Sequence, residues 1–489
     1  MTENFLNDRR TLSGLTALML VLFSITNLPW QLDDYDQAKQ AWTSYEMVTE
    51  GHWCYQRTSD DQGLATKPPL TGWICAAVFT VTRSWDVAWR LPSLLCAALI
   101  ALALFRIASR AYGNLGGVTA FAAFGFNLLS PRLATLVRSD MPLALVIFLI
   151  GLLIWEKIRT GEPWIEGDRV MMFGLLTAGM LIKGPIIYAF LLPGIVVYQF
   201  AFRKTGATTA WCGWWPWLAS LGIFLVWVVA GWLWVPRFYE LVIVREFLAR
   251  FGEVGTHIHR SQSFFFYLPH LLHKFFPWSA LLIGLAIVDL RGRGWRVRSA
   301  FSETSPQTIW LICWSVGGLL LMSLIPSKRV DRIFPIIPPL CLLVAVQVAR
   351  FVKDEKNRAR NVRWIAATIA LAVLFSAGYA ANRVVSGYRD HRDALSIFGR
   401  QVREEAAQNH WRYEAIGSTD EGLPLYLMRP HFLKPDEAVT QWNAGQIDAL
   451  AVPANQAPEL MRELHDSTRR FESTQRKHLR RPNYVLLSR

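Results

Sequence analysis

The chain has 489 residues, 52% of them hydrophobic and 18% charged, against about 25% charged in ordinary soluble proteins. That balance excludes a disordered chain, and apolar blocks of roughly 17 to 25 residues, long enough to cross ~30 Å of hydrocarbon, exclude a string of soluble domains. The formal net charge of +14 then reports on membrane sidedness rather than on a nucleic-acid partner.

In chain order, apolar runs cover 11 to 30, 88 to 105, 115 to 130, 141 to 156, 170 to 182, 184 to 202, 211 to 236, 275 to 290, 306 to 325, 333 to 349 and 362 to 381. They predict an all-α polytopic membrane bundle of about eleven transmembrane helices. The first run has the length of a retained span and is not followed by a small-x-small cleavage site. With the amino terminus inside, the loops on that side hold nineteen basic residues, among them RGRGWRVR at 291–298 and RFVKDEKNRARNVR at 350–363. The opposite orientation puts all nineteen outside, so the positive-inside rule sets the amino terminus inside and the tail outside. The short apolar segment at 69–82 is placed along the outer surface, because a crossing there reverses every later loop.

Residues 1–382 are therefore expected to form the transmembrane domain, with outer loops at 31–87 and 237–274 and surface helices in the first of them. Residues 383–489 are expected to form a small extracytoplasmic α/β domain, with β-like runs at 414–418, 448–453 and 483–488 and a helix over 455–468. The six cysteines are scattered without CxxC spacing, which implies neither a disulfide framework nor a zinc knuckle.

The residues able to carry chemistry gather on the outer side. The first outer loop opens with Asp33, Asp34 and Asp36 just before a helical run, where a carboxylate serves either as a helix cap or as a functional acid. Asp60 and Asp61 lie in a turn-like stretch and read as solvated. Lys67 precedes two prolines that fix the backbone, so it is either a phosphate contact or an interfacial lysine. Arg138-Ser139-Asp140 sits between two spans. There Asp140 suits a helix start, and Arg138 is disfavoured outside unless an anion is near. Lys183-Gly184-Pro185 interrupts a long apolar stretch at a tight turn. The long loop after 236 places Arg245 and Arg250 on an amphipathic segment suited to a membrane-delivered substrate. Beyond them come His257, His259 and Arg260, where the H-x-H pair has no evident acidic or thiol partners for a metal. Lys328, Arg329 and Arg332 crowd one short outer loop, which a phosphate or an anionic lipid explains.

Carboxylates and cations on one side of a bundle suit a site that takes an amphipathic anionic lipid: the acids activate a hydroxyl and the cations stabilise a departing phosphate. No nucleotide cradle of the GxxxxGK[ST] kind is visible.

The order Asp36-Gln-Ala-Lys, Glu-Met-Val-Thr-Glu-Gly-His-Trp53, Lys67-Pro-Pro-Leu, Arg138-Ser-Asp140, Lys183-Gly-Pro, His259-Arg260 before FFFY-x-P, and Ser327-Lys328 to Arg332 before FPIIP resembles the C-type membrane glycosyltransferases. It is most similar there to bacterial lipid A aminoarabinose transferases and protein O-mannosyltransferases, over residues 20 to 350. The resemblance implies a polyprenyl-phosphate sugar as donor, transfer on the periplasmic side of a bacterial inner membrane, and Asp36 as general base or acceptor-orienting group. It implies that Lys67, Lys183 and Lys328 line the donor cavity; Arg138, Arg260 and Arg332 are further candidates for phosphate contacts. Asp34 and Asp140 are further catalytic candidates, and Arg245, Arg250 and His259 acceptor or lipid contacts. The chain departs from the family pattern at Gln37, where an acid is usual, at Lys39-Gln40 in place of Arg-Tyr, and at Thr66, where an acid is frequent. The acceptor is expected to be lipid A or lipopolysaccharide core, with a protein acceptor and a lipid-linked sugar transporter as rivals; a divalent cation is left open.

Overall fold

The computed structural model describes residues 8–32, 35–58, 64–202, 210–248, 262–292, 294–295, 303–417, 422–476 and 483–489. The chain divides into two compact units: one of Met1–Thr26, Leu91–Thr135 and Ser139–Ala380, the other of Asn27–Arg90, Leu136–Arg138 and Ala381–Arg489.

The first unit is helical. Among the described residues six helices are long and apolar enough to cross a membrane, or seven if the bent pair Phe264–Lys274 and Trp278–Gly292 is one span. Every apolar run expected to cross folds as helix, but Arg9–Ile25, Glu166–Lys183 and Ile186–Phe202 are shorter or more polar than those six. The expected spans at 88–105 and 115–130 fall in the segment Trp85–Gly125, where two helices meet at a kink at Gly113. There φ is 79° and ψ 168°, a backbone conformation that a Cβ strains.

Small residues let the helices of this unit approach closely. A Cβ added to Gly317 on the Pro306–Leu324 helix would lie 2.6 Å from the backbone nitrogen of Gly194 on the Ile186–Phe202 helix. Tryptophans seal the neighbouring space: Trp310 and Trp314 stack with centroids 5.9 Å apart, and the Trp310 indole donates to Gly151 O at 3.0 Å.

The second unit is built on a four-stranded mixed sheet, β1 (Tyr413–Ala415), β2 (Ala449–Pro453), β3 (Thr468–Glu472) and β4 (Tyr484–Ser488), in the order β1-β2-β4-β3. Strand β1 pairs parallel with β2, and β4 runs antiparallel to both β2 and β3. The central strands ALAVP and YVLLS are buried throughout, as expected of strands covered on both faces. Alternate residues divide between two cores. Ala449, Ala451, Tyr484 and Leu486 join Trp42, Tyr45, Leu395, Phe398 and Val402, whereas Leu450, Val452, Val485 and Leu487 join Trp442, Ile447 and Leu460. The helix expected over 455–468 stops at Glu463, and the chain enters β3 at Thr468. Strand β3 lies at the sheet edge with mostly exposed side chains, so no apolar alternation announces it.

Candidate active site

Two prolines delay the helix after Lys67: Pro68 is buried, Pro69 occupies the N-cap, and the Leu70–Thr82 helix begins immediately after. This helix packs on Tyr35–Thr49, where a Cβ on Gly72 would lie 2.5 Å from the Met47 methyl group. Asp36 stands in the first turn of Tyr35–Thr49, where the helix dipole favours a negative charge. Its Oδ2 accepts from Arg138 Nη2 at 2.9 Å. The carboxylate is 29% exposed and the guanidinium 7%, so the acid reaches solvent while its partner is held from behind. The next residue fixes the same connection, because Gln37 Oε1 accepts from Val137 N–H at 3.2 Å. A glutamine at this position thus acts as a backbone clamp, a role an acid there can share.

The same helix carries a second carboxylate that reading the sequence did not single out. Glu46 is fully buried, and its Oε1 lies 2.6 Å from His52 Nδ1 and accepts from Arg57 N–H at 3.1 Å. Burial pushes its carboxyl above the ordinary range, against the lowering effect of the bonds from Arg57 and His52. Trp42 Nε1 donates to Arg57 O at 2.8 Å, so both backbone groups of Arg57 are tied to one helix. From there the chain returns through the Arg57–Leu64 bridge and the Ala65 N–H to Gln56 O bond toward Lys67. The signal was present in the Glu46-to-His52 spacing, but a single acid among seven in one loop does not stand out.

In the helical unit Asp140 occupies the first turn of Asp140–Thr160 after a Ser139 N-cap, and Lys183 at the end of Glu166–Lys183 donates to its Oδ1. Asp140 is buried and Lys183 half-buried. Lys328 is 8% exposed, its Nζ donates to Gln262 O at 3.0 Å, and burial lowers its pKa. A desolvated ammonium facing a neutral carbonyl gains from an arriving anion. Arg332 Nη1 folds back on the loop, donating to Ser327 O at 2.8 Å and Ser327 Oγ at 3.2 Å. Neighbouring Asp331 pairs with Arg132 at 3.4 Å, a contact that no local pattern encodes.

The structure thus brings together Asp36 with Arg138 and Asp140 with Lys183, two of the expected acids each joined to an expected phosphate contact. Asp34, Arg250, His257, His259 and Arg260 lie outside the described residues, and Arg245 falls in the π-helix Tyr239–Phe247 with its side chain outside them. Among the described residues no group of three or more His, Cys, Asp or Glu side chains is placed to hold a metal ion.

A family profile described as dolichyl-phosphate-mannose-protein mannosyltransferase matches residues 66–234. An undecaprenyl phosphate-alpha-4-amino-4-deoxy-L-arabinose arabinosyl transferase of Sodalis glossinidius is 29% identical over 303 residues, 62% of this chain and 47% of that protein. One from Photorhabdus laumondii is 25% identical over 395 residues, 76% of this chain and 66% of that protein. The chain therefore spans about half to two thirds of these relatives. The crystal structure of ArnT from Cupriavidus metallidurans bound to undecaprenyl phosphate superposes with a TM-score of 0.68 at 17% identity, covering 97% of each chain. The chain resembles the C-type membrane glycosyltransferases of the aminoarabinose-transferase and protein-mannosyltransferase kinds, and it has the ArnT fold.

Proposed function

We propose that the chain is an integral-membrane glycosyltransferase. It moves a sugar from a polyprenyl-phosphate donor to a cell-envelope acceptor, lipid A or lipopolysaccharide core, on the periplasmic side of a bacterial inner membrane. The observation that carries this reading is the solvent-reaching Asp36 carboxylate held at 2.9 Å by the buried Arg138 guanidinium. An acid fixed in one orientation, with its charge supported from behind, has the form a general base needs. In the proposed step Asp36 takes the proton of the acceptor hydroxyl and the hydroxyl oxygen bonds to the anomeric carbon. The bond from that carbon to the phosphate oxygen breaks, and the electron pair leaves on the lipid phosphate. Lys328, Arg332, Lys67 and Arg260 hold that phosphate, while Arg138 and Lys183 exchange part of their hold on Asp36 and Asp140 for it. Arg245, Arg250 and His259 receive the acceptor from the membrane.

The proposal includes eleven crossings, with the first outer loop and the tail outside, on the strength of the nineteen basic residues assigned to the inner loops. A protein acceptor is the second reading, favoured by the mannosyltransferase profile over 66–234. A divalent counter-ion for the phosphate is tested by comparing transfer in chelator with transfer in added magnesium. Mass spectrometry of envelope glycolipids and glycoproteins from cells carrying the native chain or Asp36→Asn tests the main reading. A glycolipid that loses one sugar increment in the variant is expected. A glycoprotein that loses it moves the acceptor to the second reading, and an unchanged envelope removes Asp36 from the chemistry.

A further inference from the structure

The helical unit holds a cavity of about 670 Å³ where the Trp85–Gly125 helix breaks at Gly113, between the start of Pro306–Leu324 and the end of Ile337–Val352. The Pro306–Leu324 helix runs from this cavity, at Thr308, toward the loop carrying Lys328. At 1.5 Å per residue its 19 residues span ~28 Å, nearly the full hydrocarbon thickness, so this cavity is not the donor-phosphate loop.

Its lining is charged and unbalanced. Among the described residues Arg350, Lys353 and Arg358 face it against one acid, Glu303. Arg350 lies 4.0 Å from Asp289, and Lys353 and Arg358 are exposed. Beside them the hydroxyls of Ser305 and Thr308, 2.9 Å apart, supply polar contacts, and Val346 and Val352 form an apolar wall. Cations and hydroxyls next to an apolar wall, at the end of a bundle, suit an amphipathic anion rather than a wholly soluble one.

We propose that this cavity binds the phosphodiester headgroup of an anionic phospholipid, with Arg350, Lys353 and Arg358 on the phosphate and the acyl chains along the bundle. In the orientation read from the loops this is the cytoplasmic leaflet, where anionic lipid attracts juxtamembrane lysine and arginine. The site does not depend on the transferase reading, since none of its residues belongs to the proposed chemistry.

The test uses the full chain, purified and delipidated, titrated by native mass spectrometry with phosphatidylglycerol, phosphatidylcholine or inorganic phosphate. Phosphatidylglycerol is expected to bind at least tenfold more tightly than phosphatidylcholine. The exposed pair Lys353→Gln and Arg358→Gln should weaken it about fivefold per cation removed. Glu303→Gln removes the opposing charge and should tighten it, which a merely misfolded variant does not do. Inorganic phosphate that competes through the same cations supports the phosphate site and identifies free phosphate as its source; phosphate that fails to compete assigns the lipid. Equal binding of the two phospholipids, or an affinity unchanged in both variants, overturns the proposal.

Discussion

Because Arg138 lies 2.9 Å from Asp36, replacing the acid and replacing its partner probe different steps. Asp36→Asn keeps an oxygen for the guanidinium but loses the proton acceptor. Transfer is expected to fall by about 10²- to 10⁴-fold while donor binding survives, as measured by turnover beside titration with the lipid-phosphate donor. Native turnover would move the base elsewhere. Lys328 is the cation whose burial most directly favours an arriving phosphate. Its folded pKa lies below the ordinary 10.5, so its charge is lost earlier on the alkaline side, and donor affinity should decline there before an exposed lysine would titrate. Lys328→Arg should extend binding to higher pH, whereas Lys328→Ala should weaken it by about 10- to 100-fold, the worth of a charge-assisted hydrogen bond. An alkaline limb identical in the native and arginine chains would dissociate Lys328 from the phosphate.

At the scale of elements, the Tyr35–Thr49 helix presents Asp36 at one end and buries Glu46 near the other, and the two acids have opposite duties. The Glu46 carboxyl is raised from 4.5, so the folded unit holds its proton more firmly than the unfolded chain. Its contribution is therefore fully present below that value and is lost as pH rises through the raised one. Glu46→Gln, which can still accept from Arg57, should flatten that slope in denaturant titrations taken across mildly acidic to neutral pH; an unaltered slope would assign it to another group. The helices of the spans were legible because each is an apolar run, and the two central strands because they are short apolar runs between turns; the tail helices Ala394–Gln408 and Pro435–Asn443 are polar and were not. The pairing of Asp36 with Arg138 was not, since 102 residues separate them and no local pattern encodes a partner. Strand β3 was hidden for the reason that makes it an edge: its Arg469 and Arg470 face solvent. The break at Gly113, by contrast, falls in the expected connection between the runs at 88–105 and 115–130. Gly113→Ala meets open space for its methyl group, so any loss comes from the backbone alone, about 1 to 3 kcal/mol of unfolding free energy in the helical unit.

For the molecule as a whole, the tail does more than follow the spans. Leu395, Phe398, Val402 and Leu423 share one buried cluster with Trp42 and Tyr45 of the Asp36 helix, and Leu32 N–H donates to the Tyr426 hydroxyl oxygen at 2.6 Å. Phe398→Ala should therefore lower the stability of this unit by about 3 to 5 kcal/mol and reduce transfer without touching a reacting group. The proposed sidedness has a sharper test, because Cys54, in the loop expected outside, is exposed while Cys75, Cys212, Cys313 and Cys341 are buried and Cys96 is half-buried within the apolar Trp85–Gly125 segment. With the amino terminus inside, a membrane-impermeant maleimide added to intact spheroplasts should label Cys54, and Cys54→Ser should remove that label. Lys353→Cys in the Cys54→Ser chain should react only after permeabilisation, since Lys353 is exposed in a basic loop assigned to the inner side. Labelling in the reverse order would turn the bundle over. Asp36 would then face the cytoplasm, and a periplasmic acceptor could not reach it.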